Sequence, residues 1–405
     1  MLSRILTFSA DHDDTFFQEL PATAAVFFLR GDGEPYVSKT ANLRRRLQRL
    51  LGPPTEHSKR LNLRDRVREI AFTLTGSDFE SQFLLYRVLR ETFPKTYSAR
   101  LRLRPAPLVK LHLENEYPRA SVTTRLGKIL PSCRSSSARQ DGREHPYPRG
   151  SNLYYGPFPS RTVAEKFASD ALDFFKMRRC VDDLHPDPAF PGCVYSEMKM
   201  CLAPCFKGCT DADYHAEVAR VQAFFDTAGE SLSRELTEQR ERASAELAFE
   251  DAAAIHAKLD KLKPVLTQLP EIVRRIDRLQ AIVVQPGGEP GSVSLFHFAE
   301  ATLQGPIAFN VELRAESQSM ESRVEAAIAS FSTIEAHSNT ERIEHLAILK
   351  RWYFRSHRTG EIFFADDKGS WPLRRIVRGI GRVHRRETEQ EPASFSATNS
   401  APPPS

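Results

Sequence analysis

Residues 24–54 decide the fold: Ala24-Ala25-Val26-Phe27-Phe28-Leu29 is an apolar run, Gly31-Asp32-Gly33 a turn, and Pro35-Tyr36-Val37 a second extended segment. Short apolar runs on either side of a glycine-bearing turn read as a β-hairpin. From Asn42 to Leu51 the period changes. Leu43, Leu47 and Leu50 recur at helical spacing, Arg44, Arg45, Arg46 and Arg49 fill the other positions, and Gly52-Pro53-Pro54 ends the helix. A second helix is expected from about Phe79 to Thr92, with Phe83, Leu84, Val88 and Leu89 as its apolar positions. Hairpin and helices together make a compact α/β unit, placed at residues 18–105.

Downstream, Leu108 to Val122 reads as strands around Tyr117-Pro118, and order resumes from Tyr154 to Met177 with a helix from Thr162. Between them, residues 132–151 are rich in Ser, Arg, Pro and Gly and read as a mobile insertion. A cysteine-bearing loop follows and completes a 106–215 region. Asp211 to about Leu266 predicts a long pair of helices, giving a helical region at 216–268. Residues 271–385 read as a mixed α/β region. Strands are expected at Ala281-Ile282-Val283-Val284, Ser292 to Phe298 and Pro306 to Leu313, then helices at Met320 to Phe331 and Thr340 to Trp352. Residues 386–405, ending Ala401-Pro402-Pro403-Pro404, read as a disordered tail. The expected class is α/β in the α+β sense, with several domains.

The chain has 405 residues, 40% of them hydrophobic and 27% charged, which suits soluble globular domains. It has no apolar run near twenty residues, so no membrane span is expected. The start, Met1 to Asp14, lacks a basic region and a small-residue cleavage site, which makes the cytoplasm the expected compartment. Net charge is only +5, but Lys39 to Lys110 holds 17 Lys/Arg against 6 Asp/Glu. Such an excess suits a phosphate backbone. A solvated surface with acidic partners elsewhere in the fold is the competing reading.

Five of the six cysteines fall between Cys180 and Cys209, and Cys180, Cys193, Cys201 and Cys205 are separated by 12, 7 and 3 residues. Disulfides suit small secreted domains. Structural zinc draws its ligands as two close pairs, and only Cys201/Cys205 make one. An iron–sulfur cluster tolerates a ligand from a distant loop. Cluster, zinc and buried apolar cysteines stay open on spacing alone. Lys199, Lys207 and Arg179 nearby would favour thiolates. Cys209 is a spare ligand, and Cys133 sits in the insertion.

Several segments in order resemble the N-terminal half of the UvrC family, the nuclease of bacterial nucleotide excision repair. Tyr155-Gly156-Pro157-Phe158 with Arg179-Cys180 is similar to the run into its cysteine region. Cys201-Leu202-Ala203-Pro204-Cys205 is similar to its most recognisable short motif, and Leu247-Ala248-Phe249-Glu250-Asp251-Ala252-Ala253 to its UVR helix. The resemblance spans roughly residues 20 to 265. It implies a 4Fe–4S cluster on Cys180, Cys193, Cys201 and Cys205.

It further implies a GIY-YIG nuclease fold at the N-terminus, in which a tyrosine helps activate water, an arginine stabilises phosphate charge and a glutamate holds one divalent metal. Here the first motif reads Ala25-Val26-Phe27, so a phenyl ring stands for the tyrosine. The second reads Tyr36-Val37-Ser38, with Lys39 kept, and Arg46 falls on the catalytic arginine. A later aromatic hydroxyl is replaced by Leu50, the closing asparagine by Ser98, and the metal-binding glutamate by Tyr86. Neither Gln82, Leu89 nor Arg90, one turn away, offers a carboxylate; Glu80 and Glu91 would point elsewhere. A hard cation such as Mg²⁺ needs oxygen anions, so Mg²⁺ is expected only if the site is active. Tyr36, Lys39 and Arg46, with Arg44, Arg45 and Arg49, are the expected DNA-facing residues. The plainer readings are a core tyrosine and a solvated helix face.

The UVR-like helix would meet UvrB through Phe249, Ala252 and Ala253, with Leu259 and Leu262 continuing the apolar face; an intramolecular hairpin fits the same pattern. Where the family continues Arg-Asp, this chain has His256-Ala257. Residues 271–385 resemble the opening strands of the family's RNase H-like second nuclease, and the segment ends before a full acidic set is assembled. Asp366-Asp367 beside Lys368-Gly369 reads as a turn. The expected function is a DNA-binding repair protein with an inactive GIY-YIG site. The alternatives are an active endonuclease making the 3′-side incision with a rearranged metal ligand, like the short homologue Cho, and an iron–sulfur interaction protein with no DNA role.

Overall fold

The structure, a computed structural model, describes residues 2–53, 61–127, 152–313, 318–331 and 338–390. The expected insertion at 132–151, with Cys133, and the tail from residue 391 lie outside them. Among the described residues the strands form three four-stranded sheets, every pairing antiparallel, and helices pack on them, an α+β architecture. No helix among them is long and apolar enough to cross a membrane.

The first sheet has the order Arg4–Thr7, Val67–Leu74, Ala25–Gly31, Tyr36–Thr40. Its centre is the expected hairpin, with Leu29 opposite Tyr36 and Phe27 opposite Ser38. The outer strand Arg4–Thr7 carries the unit back beyond residue 18. Side chains alternate across a strand, so Ala25, Phe27 and Leu29 share one face. There they bury with Leu43, Leu47 and Leu50 of the helix Leu43–Leu51. That helix starts where Asn42 accepts the Arg45 N–H at 2.9 Å, an N-cap that satisfies one of its unpaired donors.

The helix Asp78–Thr92, capped by Ser77, belongs to a different core. Phe79 meets Phe296 and Trp352 with ring centroids 5.0 and 5.1 Å apart, so the helix joins the N-terminal sheet to the C-terminal region. The loops there touch backbone to backbone: a Cβ on Gly76 would lie 2.1 Å from the Gly287 carbonyl oxygen.

The second sheet runs Ala120–Thr123, Leu108–Leu111, Leu153–Gly156, Arg274–Arg275. Its last strand arrives from beyond the helical region, so the expected boundary near 268–271 is crossed by a ladder. The expected helix pair is three helices, Asp211–Asp226, Glu230–Ala245 and Phe249–Thr267. The breaks fall at Ala228-Gly229 and Leu247, all with positive φ, a conformation that stops a right-handed helix.

The third sheet has the order Thr302–Asn310, Ser292–Ala299, Ala281–Pro286, Glu361–Phe364: the three expected strands and a fourth on the edge. Helices Met320–Ala329 and Asn339–Tyr353 match expectation. The last helix, Leu373–Gln390, was not anticipated, and it enters the segment assigned to a disordered tail. Its Ile376, Ile380 and Val383 bury against Ile282, Val284 and Phe363.

Candidate functional site

Tyr36 and Arg46 come together in the structure. Arg46 Nη2 donates to Tyr36 Oη at 2.7 Å, bridging the strand Tyr36–Thr40 and the helix Leu43–Leu51. Arg45 and Arg49 are exposed beside them, and Arg45, Arg46, Gln48, Arg49, Leu50 and Leu61 line an open hollow of about 680 Å³. Phe27 is fully buried, its ring centroid 6.0 Å from that of Tyr36, and Leu50 is buried too. No hydroxyl reaches this spot from either residue.

Two expected members of the basic set are engaged elsewhere. Arg44 is half-buried and its Nε donates to the Leu20 carbonyl at 2.7 Å, which makes it a brace for the preceding loop rather than a DNA-facing group. Lys39, three residues from Tyr36, falls on the other face of the sheet. Its Nζ lies 2.6 Å from Asp78 Oδ1, and Arg355 holds Oδ2 at 2.6 Å. Burial alone would raise the Asp78 carboxyl, but the hydrogen bond and charge of Lys39, with Arg355, outweigh it and hold the group below the usual carboxylate range. Lys39 is therefore neutralised by an acid at the start of a helix. Its place in a phosphate-facing set is a correction, caused by strand alternation.

Tyr86 stands where the metal-binding glutamate was expected, and it does not face Tyr36 and Arg46. It is 1% exposed, packed against Phe83, Tyr97 and His345. Its hydroxyl donates to Glu344 Oε2 at 3.0 Å. Tyr97 donates to the same carboxylate at 3.0 Å, and Arg90 pairs with Glu341. Burial, then the Glu344 charge, push the Tyr86 phenol well above its ordinary value, so it stays a neutral donor. Glu80, as expected, points away: Gly76 N donates to its Oε2 at 2.9 Å and the Ser294 hydroxyl to its Oε1 at 3.1 Å. The carboxylates Glu341 and Glu344 come from the helix Asn339–Tyr353, more than 240 residues away in sequence. No local pattern could have announced them.

Cys180, Cys193, Cys201, Cys205 and Cys209 are all free thiols and half-buried. The four candidate ligands share one neighbourhood. Burial pushes Cys201 up to about 11, and the nearby Cys180, Cys205 and Cys193 add to that. Cys205 and Cys209 also rise through burial. The expectation that basic neighbours lower these thiols is therefore corrected for Cys201, Cys205 and Cys209. Arg179 is drawn to Asp173 at 2.7 Å, and Arg178 instead reaches Cys180 Sγ at 3.4 Å. The Ala203 N–H points at Cys201 Sγ at 3.3 Å, and Ala203 and Lys207 hold left-handed backbone around Cys205. Among the described residues no three His, Cys, Asp or Glu side chains already sit close enough to hold a single ion. A mononuclear zinc needs four donors within about 2.3 Å of one point. A polynuclear cluster spreads its thiolates, because each bonds its own iron. All four candidate donors are cysteine sulfurs, a set that either group accepts.

On the UVR-like helix the expected face divides. Leu259 and Leu262 are buried in the intramolecular core, whereas Phe249 is 66% exposed, Ala253 is exposed and Ala252 half-buried. Leu247, 71% exposed, lies beside Phe249 at the tip of the hairpin. His256 sits 3.5 Å from Asp260, one turn on. The Asp366 turn is as expected: Asp366 Oδ1 accepts the N–H groups of Lys368 and Ser370.

The family described as UvrC/Cho excinuclease, middle domain, matches residues 117–224, the part that carries the cysteines. The chain is similar to the UvrABC system protein C of Rickettsia bellii, 26% identical over 268 residues, covering 66% of this chain and 38% of that protein. The same protein of Rickettsia felis gives the same identity and coverage. That of Idiomarina loihiensis is 24% identical over 294 residues, covering 72% of this chain and 44% of its own length. The chain thus spans about two fifths of the relatives it matches. No solved structure matches it.

Proposed function

We propose, from the premise that this chain is a UvrC family member, that it is a cytoplasmic nucleotide excision repair protein that grips DNA at its N-terminal unit without cutting it. The observation that carries this reading is Tyr86. At the position of the metal anchor stands a buried phenol, and the nearest carboxylates, Glu341 and Glu344, already accept hydrogen bonds from Arg90, Tyr86 and Tyr97. A phenol that keeps its proton cannot anchor Mg²⁺, and Phe27 cannot exchange a proton with water. Arg45, Arg46 and Arg49 remain available to phosphates. The test is nicking of damaged plasmid by pure protein with Mg²⁺ or Mn²⁺. No nicking is expected. Metal-dependent nicking abolished by Arg46→Ala would establish the alternative, an active endonuclease making the 3′-side incision.

The four cysteines would hold a 4Fe–4S cluster, which would cross-link the loop and supply a one-electron redox centre. This chain's contribution is the half-buried thiols, the Arg178 and Ala203 donors to sulfur, and the left-handed backbone at Ala203 and Lys207 on either side of Cys205. Iron and sulfide analysis of protein purified without air tests it; one tightly held zinc and no iron would overturn it. Leu247, Phe249, Ala252 and Ala253 at the hairpin tip form the surface for UvrB. Double substitution Leu247→Asp/Phe249→Asp should abolish UvrB capture and leave the fold intact, since both side chains are exposed. The third reading, an interaction protein with no DNA role, fails if DNA binding is salt-dependent and lost with the arginines.

A further inference from the structure

Residues 369–386 contain six arginines and no Asp or Glu. The helix Leu373–Gln390 turns its Ile376, Ile380 and Val383 into the core, and Arg375, Arg378, Arg382 and Arg386 line up along a flanking side. These residues recur at intervals of three or four, the spacing of one helical face. They form one wall of a groove of about 600 Å³, whose other wall is Gly360 to Phe363 of the edge strand, with Arg358 at its end. Close packing makes the groove. A Cβ on Gly379 would lie 2.2 Å from the Phe363 ring, so a glycine there lets the helix settle against the strand.

The charge is mostly uncompensated. Arg382 pairs with Glu361 at 2.5 Å, whereas Arg375, Arg378 and Arg386 are exposed and have no carboxylate partner among the described residues. Arg358 lies over the Trp352 and Tyr353 rings, 5.0 and 4.8 Å from their centroids, which fixes its guanidinium at the groove's end. From Arg375 to Arg386 the helix rises about 16 Å, a length over which one DNA strand presents about five phosphates.

We propose that this groove is a second nucleic-acid contact, in which Arg375, Arg378 and Arg386 neutralise the phosphate backbone of a DNA strand lying along the helix. Apart from Ile362 and Phe363 its walls offer little apolar surface, so it is poorly suited to the side chains of an acidic peptide. The inference rests on the reading that the protein grips DNA, and it adds a surface separate from the Arg45–Arg46–Arg49 hollow.

The test is fluorescence anisotropy of labelled duplex and single-stranded DNA with the full chain, across a salt series. Arg375→Ala/Arg378→Ala/Arg386→Ala should weaken binding at least about ten-fold near physiological salt. It should also flatten the log K against log salt slope by about one per lost contact. Lysine at the same three positions should restore both, because neutralisation needs charge rather than guanidinium geometry. Unchanged affinity and slope in the alanine variant overturn the proposal, as does a loss that lysine does not repair. So does loss of binding to an acidic peptide or phosphatidylserine vesicles while DNA binding is unaltered. Arg45→Ala/Arg46→Ala/Arg49→Ala, run in parallel, separates the two claims. If it alone weakens binding, only the groove is refuted; if neither variant does, the DNA-gripping reading falls as well.

Discussion

Replacing Tyr86 by glutamate supplies the carboxylate that the resemblance to UvrC places at this position, and the structure predicts damage instead of rescue. The site is 1% exposed, and its hydroxyl currently donates to Glu344, with Glu341 held by Arg90 alongside. Tyr86→Glu removes a donor and sets a third carboxyl beside two carboxylates. Two unit charges about 4 Å apart at an effective dielectric of 20 repel by about 4 kcal/mol. The introduced carboxyl escapes this by keeping its proton. Holding a proton at pH 7 on a group whose unfolded pKa is about 4.3 costs about 3.7 kcal/mol, at 1.36 kcal/mol per unit. Repulsion and proton uptake thus set the same ceiling, a loss of about 4 kcal/mol. The sign follows from proton counts. The folded pKa is raised, so between about pH 4.3 and 7 the native state binds one proton more than the unfolded chain. The penalty therefore grows by about 1.4 kcal/mol per unit as pH rises through that window and vanishes below it. Urea denaturation of wild type and variant at several pH values reads the difference directly. A variant as stable as wild type at neutral pH, or one that Mg²⁺ stabilises and that then nicks plasmid, refutes the reasoning.

Arg46→Ala should weaken DNA binding about three- to ten-fold and reduce the salt slope by about one, measured by anisotropy; an unchanged slope places DNA elsewhere. Cys201→Ser should abolish iron and sulfide incorporation and the visible absorbance of anaerobically purified protein, because Cys201 lies among the other three candidate ligands. Gly76→Ala puts a methyl group 2.1 Å from the Gly287 carbonyl oxygen and 2.3 Å from that of Pro286, both backbone atoms. It should cost about 1–3 kcal/mol in urea denaturation, and a neutral result would mean that this junction yields.

What could be read from the sequence was what repeats locally. The hairpin of Ala25–Gly31 with Tyr36–Thr40 announced itself through a glycine turn, and the helix Leu43–Leu51 through three leucines and an asparagine cap. The strands Ala281–Pro286 and Ser292–Ala299 showed as apolar runs. Failures came where the deciding contact is distant. Arg44 and Lys39 look alike in sequence as basic residues of one motif, but Leu20 and Asp78 claim them. Arg179 looked closest to the cysteines, yet backbone direction turns Arg178 toward Cys180. The last helix was hidden because six arginines mask its apolar stripe. The spacing of Ile376, Ile380 and Val383 was the available signal.

The helix Asp78–Thr92 shows why the site departs as a unit from the pattern that the resemblance to UvrC implies. A metal-binding glutamate must keep lone pairs exposed to a cation and water, whereas a helix wedged between two sheets must give up that exposure. Here Phe79 and Phe83 bury against Phe296, and Arg87 donates to the Gly305 carbonyl at 3.2 Å. With the helix committed to that interface, a carboxylate at position 86 would be desolvated beside Glu344, whereas a phenol offers both apolar area and the donor that Glu344 needs. The acidic residues of Asn339–Tyr353 and the donors Tyr86, Arg90 and Tyr97 thus form one electrostatic arrangement. Reverting any single member leaves the others unsatisfied, so recovering metal binding here would require changing both helices together.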